Sequence, residues 1–186
     1  FDTFEVPVRY GFGYGLSYTD FEITGCALKA VSAEKIRVTA TVRNTGNVSG
    51  KEVVQVYASL PGGILEKEAH RLAAYAKTNE LKPGEAQEVT MEVKMDGLTS
   101  YDEKRAAWIL ESGFYGIWVG NSLASAKLCG GIKLDQEVIR RQVRNLFPLK
   151  QELEEISQEA SKTAKRAAAA AQQAKEEELT VLNIRG

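Results

Sequence analysis

Ile36-Arg37-Val38-Thr39-Ala40-Thr41-Val42-Arg43-Asn44-Thr45-Gly46-Asn47-Val48-Ser49-Gly50-Lys51-Glu52-Val53-Val54-Gln55-Val56-Tyr57 reads as strand, turn, strand. From Ile36 to Val42, large apolar residues alternate with polar or small ones, which is the period of a strand with one buried face. Asn44-Thr45-Gly46-Asn47 supplies turn chemistry, and Val53 to Tyr57 is a second strand. The same grammar continues outward. Leu81-Lys82-Pro83-Gly84-Glu85 predicts a tight turn, since Pro fixes φ at its second position and Gly accepts positive φ at its third. Glu88 to Met95 alternates again, with Val89, Met91, Val93 and Met95 on one face. Trp108-Ile109-Leu110 leads into a turn at Glu111-Ser112-Gly113, an aromatic-rich strand over Phe114 to Val119, and a weaker one over Ala126 to Leu134. Short strands with a turn every dozen or so residues predict an antiparallel β-sandwich rather than a parallel sheet.

Composition changes near residue 145. Beyond it the chain is Ala, Glu, Lys and Gln, with no Gly until the last position. Leu149, Leu153, Ile156, Ala160, Ala164, Ala167, Ala171 and Ala174 fall at steps of three and four, one stripe of a helix. Pro148 suits the first turn, and Glu152, Glu154 and Glu155 suit the positive end of the helix dipole. A helix from Leu149 to about Glu178 would be about 45 Å long, and so thin a stripe needs a partner surface. Leu179 to Ile184 reads as a short extended segment.

The chain has 186 residues, 44% hydrophobic and 26% charged, with a net charge of -1. That suffices for a core without metal or disulfide staples, and the near-neutral balance gives no reason to expect nucleic acid or a membrane as partner. The opening Phe1-Asp2-Thr3-Phe4-Glu5 has no initiator Met, basic region or apolar run and reads as the middle of a longer protein. Cys26 and Cys129 are far apart and in no metal-ligand spacing; two free, buried thiols are expected ahead of a disulfide. Asn47-Val48-Ser49 fits the N-glycosylation triplet, a pattern common by chance.

Several segments together resemble family 3 glycoside hydrolases. Arg9-Tyr10-Gly11-Phe12-Gly13-Tyr14-Gly15-Leu16-Ser17-Tyr18-Thr19 is similar to that family's Tyr-Pro-Phe-Gly-Tyr-Gly-Leu-Ser-Tyr-Thr signature, with Gly11 where Pro is usual. Asn44 to Tyr57 resembles the most recognisable stretch of the family's fibronectin type III-like domain. Leu81-Lys82-Pro83-Gly84-Glu85, Leu98-Thr99-Ser100-Tyr101-Asp102-Glu103, Trp108, Gly113-Phe114-Tyr115 and Val119-Gly120-Asn121-Ser122 follow in order. His70 to Lys77 matches only loosely; it should keep the strand, with Leu72 and Tyr75 as apolar anchors.

The resemblance implies a fibronectin type III/immunoglobulin-like antiparallel β-sandwich at 16–140, followed by a long C-terminal α-helix. Residues 1–15 would be the tail of a preceding α/β sandwich domain, and 141–186 a helical linker toward a catalytic barrel, the family's inverted domain order. In the family the nucleophilic Asp belongs to the barrel and the acid/base Glu to the α/β sandwich, so no catalytic residue carries over to this chain.

No other chemistry emerges from the residues. Asp102-Glu103 reads as a solvated turn rather than an acid/base pair. His70, the sole histidine, has no nucleophile in a recognisable arrangement. Gly11, Gly13 and Gly15 do not open a helix after a strand, so a dinucleotide loop is excluded; close packing and turn geometry between domains is their expected role. No zinc or calcium pattern and no cofactor is expected. Most aromatics belong in the core. The exceptions are Tyr10, Phe12 and Tyr14, which precede the first core strand; with Tyr18 they are the candidate interdomain contact, an exposed apolar patch.

The expected function is therefore a non-catalytic brace between the α/β sandwich and barrel domains of a β-glucosidase-type polypeptide, with one loop shaping the active-site rim. The alternative is a carbohydrate-binding module for oligosaccharide, which a flat row of aromatics away from the domain joints would mark. Self-association through the C-terminal helix and a cytoplasmic, bacterial-type location are further expectations.

Overall fold

The computed structural model describes residues 3–147 and 160–184. Eleven strands and one α-helix appear among them. The first sheet has the order β1-β2-β5, from Phe21–Ser32, Lys35–Asn44 and Ala86–Lys94. The second, five-stranded, has the order β11-β9-β8-β3-β4, from Thr180–Ile184, Lys127–Leu134, Gly113–Gly120, Val53–Ser59 and Arg71–Lys77. A small third sheet joins β10 (Val138–Gln142), β7 (Ala107–Leu110) and β6 (Ser100–Asp102).

The two larger sheets enclose the core. Central strand β2 turns Ile36, Val38, Ala40 and Val42 inward, and edge strand β5 contributes Val89, Met91 and Val93. The opposing sheet supplies Val54, Val56, Ala58, Ile117 and Ile132. This is the alternation read from the sequence, and the antiparallel sandwich follows from it. The tight turn forms as well: Gly84 has φ of 79°, and its successor Glu85 donates its N–H to the Lys82 carbonyl at 2.9 Å.

Asn44, at the end of β2, is fully buried. Its Oδ1 accepts from Thr19 Oγ1 at 2.8 Å and from the Gly46 N–H at 3.1 Å, while its Nδ2 donates to the carbonyls of Val48 and Leu81 at 2.8 and 2.9 Å. The side-chain amide is saturated, so the turn residue also stitches the entry segment and the Leu81 bridge to the sandwich.

Several expectations need correction. Cys26 and Cys129 are not free thiols; they form a disulfide with Cα atoms 5.7 Å apart. Cys26 lies in β1 and Cys129 in β9, so the bond fastens one sheet to the other. Stacking of the sheets brings them together across a separation of 103 residues. The helix, α1, is described over Ala160–Glu176, shorter than expected; the expected first turns, 149–159, lie outside the described residues. Among its described side chains, from Lys165 on, Ala167, Ala170 and Ala174 are buried, and it packs on β8 and β9 of its own domain. The chain leaves α1 through Glu178, whose φ is 52°, and the Leu179 N–H donates to the Ala174 carbonyl at 2.8 Å. That exit aims the extended tail back along the sheet, where β11 pairs parallel to β9. In β4 the strand is present, but Leu72 and Tyr75 face outward, and Ala73, Ala74 and Ala76 pack on the core instead.

Candidate interdomain surface

Residues 3–20 contain no strand or helix. What holds them is the outward face of β3. There Gln55 and Tyr57 are buried although they point away from the core, because the entry segment lies over them. Gln55 Nε2 donates to the Gly13 carbonyl at 3.0 Å and to the Asn121 carbonyl at 2.7 Å. The Tyr57 hydroxyl donates to Gln55 Oε1. The Leu123 N–H donates to the Phe12 carbonyl at 3.0 Å, and the Tyr14 N–H closes a turn onto the Gly11 carbonyl at 3.1 Å. Gly13 sits at φ of 76°, and a Cβ there would come within 2.0 Å of Gln55 Oε1. Of the three alternating glycines it is the one that close packing requires, and its neighbours are in its own domain. A Cβ at Gly11 or Gly15 would meet nothing within 4 Å.

The backbone is thus fastened down while the rings stay out. Tyr10, Phe12 and Tyr14 are each at least half exposed, and Tyr18 is 98% exposed. Tyr10 and Tyr14 pair at 5.0 Å between ring centroids, Arg9 lies over Tyr10 at 5.7 Å, and Phe12 meets Tyr57 edge-on at 6.2 Å. With Val6, Val8 and Leu16, also exposed, they form a contiguous stretch of apolar sequence facing solvent. Such a strip, its backbone pre-ordered by hydrogen bonds beneath it, loses little backbone freedom when covered.

The other candidate residues fall as follows. His70 packs edge-on against Trp118, ring centroids 5.6 Å apart, in keeping with a packing role. Glu103 is exposed, but Asp102 is not in a solvated turn; it is buried at the end of β6 and accepts from the Arg105 N–H at 3.0 Å and from the Arg105 guanidinium. Arg105 also grips Glu137 with both terminal nitrogens. Hydrogen bonding to Arg105 holds both carboxyls below the usual carboxylate range, so they stay ionised anchors rather than proton donors. No group of three or more His, Cys, Asp or Glu that could hold a metal occurs among the described residues.

Sequence reasoning passed over one feature altogether. Lys67 and Glu111 form an ion pair with side chains 2% and 7% exposed. Lys67 Nζ also donates to the carbonyls of Pro61 and Leu65 at 3.2 and 3.0 Å, and Glu111 accepts from the Ile64 N–H at 2.7 Å. The pair ties the 60–70 loop to the turn after β7 and leaves Ile64 projecting at its tip. The neighbouring Tyr115 phenol is pushed up by burial and by the Glu111 charge, and it donates to the Glu111 carbonyl at 2.8 Å.

Residues 52–123 match the family model "Fibronectin type III-like domain". A β-glucosidase of Ruminococcus albus is 41% identical over 156 residues, covering 80% of this chain and 16% of that protein. Among solved structures, β-glucosidase 3B from Thermotoga neapolitana in complex with glucose superposes with a TM-score of 0.68 at 40% identity, over 74% of this chain and 19% of that one. The GH3 β-glucosidase of Bifidobacterium adolescentis superposes with a TM-score of 0.68 at 30% identity, over 80% of this chain and 22% of that one. The chain spans less than a quarter of the length of each of these relatives. What it shares with them is one module, and that module is the fibronectin type III-like β-sandwich of family 3 glycoside hydrolases.

Proposed function

We propose that this module braces a longer polypeptide that hydrolyses terminal β-D-glycosyl residues, and that it takes no part in the bond-breaking step. The observation that carries this reading is the entry strip: Tyr10, Phe12, Tyr14 and Tyr18 stand exposed on a backbone tied to the sandwich. A strip of this kind fits the flank of a preceding α/β sandwich domain. The 60–70 loop, fixed by a buried ion pair and tipped by Ile64, suits contact with the rim of a neighbouring active site. A catalytic barrel elsewhere in the same polypeptide would complete the inverted order, joined to the sandwich beyond β11, since α1 and β11 fold back onto the sandwich itself.

The test is thermal inactivation of the longer polypeptide, followed by aryl β-glucoside hydrolysis, in a Tyr10→Ser/Tyr14→Ser/Tyr18→Ser variant. Removing apolar rings from a covered joint forfeits about 1.5–3 kcal/mol for each one fully buried, so inactivation should quicken by at least about tenfold. The 186-residue chain alone should lose far less in unfolding temperature, because these rings are already half or more exposed there and none is part of the core. Equal inactivation of variant and parent would count against docking through this strip.

A further inference from the structure

Across the small third sheet, Tyr101 of β6 is directly opposite Trp108 of β7, and Trp108 is directly opposite Arg141 of β10. Facing residues of antiparallel strands project to the same side, so the three side chains form one row, roughly 10 Å long at the usual strand spacing. Trp108 is 40% exposed, with its ring tilted at 46° to that of Tyr101 and 5.3 Å away. The Tyr101 hydroxyl donates to Asn145, which fixes that ring. Arg141 is exposed, and its guanidinium has no hydrogen-bond or ion-pair partner among the described residues.

Beside the row is a cleft of about 340 Å³ lined by Asp96, Thr99, Trp108, Arg140 and Arg141. Arg140 is held in place by Asp96 at 2.7 Å and Glu34 at 3.6 Å. Glu34 does not line the cleft, but with it counted two carboxylates offset the two arginines, so the local charge sums to zero. The cleft offers an apolar indole face, a fixed carboxylate and an uncommitted guanidinium fork. A neutral pyranose matches that set: its C–H face covers the indole while neighbouring hydroxyls reach the polar groups, the mix of apolar wall and few polar contacts usual in small-ligand sites.

We propose that the Tyr101–Trp108–Arg141 row, with its cleft, binds one or two sugar rings of a neutral β-glucosyl oligosaccharide. The choice of glucosyl units rests on the function proposed above; the site does not, for it shares no residue with the entry strip. The row would hold substrate chain near the polypeptide that cleaves it.

The test is titration of the 186-residue chain with cellotetraose and with laminaritetraose to about 10 mM, followed by the NMR signals of the two indole N–H groups. The Trp108 signal should shift with saturation. That of Trp118, whose Nε1 donates to Ser59 Oγ at 3.0 Å, should stay put. Trp108→Ala should weaken binding at least about tenfold, and the exposed Arg141→Ala, which threatens no core contact, should weaken it several-fold. No shift with either sugar, equal binding by both variants and parent, or preference for an oligouronate would each overturn the proposal. The Tyr10→Ser/Tyr14→Ser/Tyr18→Ser variant should bind sugar as the parent does, so failure of the brace and failure of the sugar site are separate outcomes.

Discussion

Reduction of the Cys26–Cys129 disulfide should lower the stability of the chain by about 2–4 kcal/mol, seen as a fall of roughly 10 °C in the unfolding midpoint on adding reductant. The cross-link joins β1 to β9 over 103 residues, so cutting it frees a long loop in the unfolded chain. It also removes the disulfide cross-link between the sheets, which are otherwise joined covalently only through the main chain. β1 is the strand most exposed to the loss: it is an edge, held by β2 on one side, and of its residues only Leu28 is buried. A Cys26→Ala/Cys129→Ala variant should unfold at the reduced protein's temperature with or without reductant. A midpoint that ignores reductant, with two titratable thiols in the native chain, would contradict the disulfide.

Lys67→Met should be at least as damaging. It leaves the Glu111 carboxylate buried without its cation, a loss of about 3–5 kcal/mol. The pair cannot exchange its partner for water, since both side chains are almost wholly enclosed. Glu111→Gln in the same background should restore part of the loss, because a glutamine oxygen can still accept from Ile64 N–H while the stranded charge is gone. Urea midpoints of the parent, both single variants and the double variant give the coupling directly. Single variants within about 0.5 kcal/mol of the parent would mean that the pair is hydrated and the 60–70 loop is loose.

These two features are also where the sequence was least informative. β2 and β5 were legible because each buries alternate residues against one core, and the Pro83-Gly84 turn because its backbone demands are local. β1 was not, because an edge strand with a Gly25 bulge and mostly exposed side chains carries no alternation. β10 fails for the same reason: it is the rim of a three-stranded sheet, half buried at best. The disulfide depends on how two sheets stack, which no spacing of cysteines encodes. Lys67 and Glu111 carry no local signal of pairing, since they lie 44 positions apart and only the fold encloses both.

The candidate surface divides the same way. Tyr10, Phe12, Tyr14 and Tyr18 could be picked out because they precede the first strand and so lack a core to enter. Trp108 could not, since in the run Trp108-Ile109-Leu110 nothing local decides which residue faces out; pairing with Tyr101 and Arg141 decides it. Of the helix stripe, Ala167 and Ala174 are buried as read, while the stripe from Leu149 to Ala164 lies outside the described side chains; the destination on β8 and β9 and the return of the chain as β11 are tertiary facts.

The central claim is that this sandwich supports chemistry performed elsewhere in its polypeptide. Hydrolysis of an aryl β-D-glucoside, measured side by side for the 186-residue chain and for the longer polypeptide containing it, tests that most directly. The account predicts turnover by the longer polypeptide and none above buffer by the chain alone; turnover by the purified chain, rising in proportion to its concentration, would contradict it.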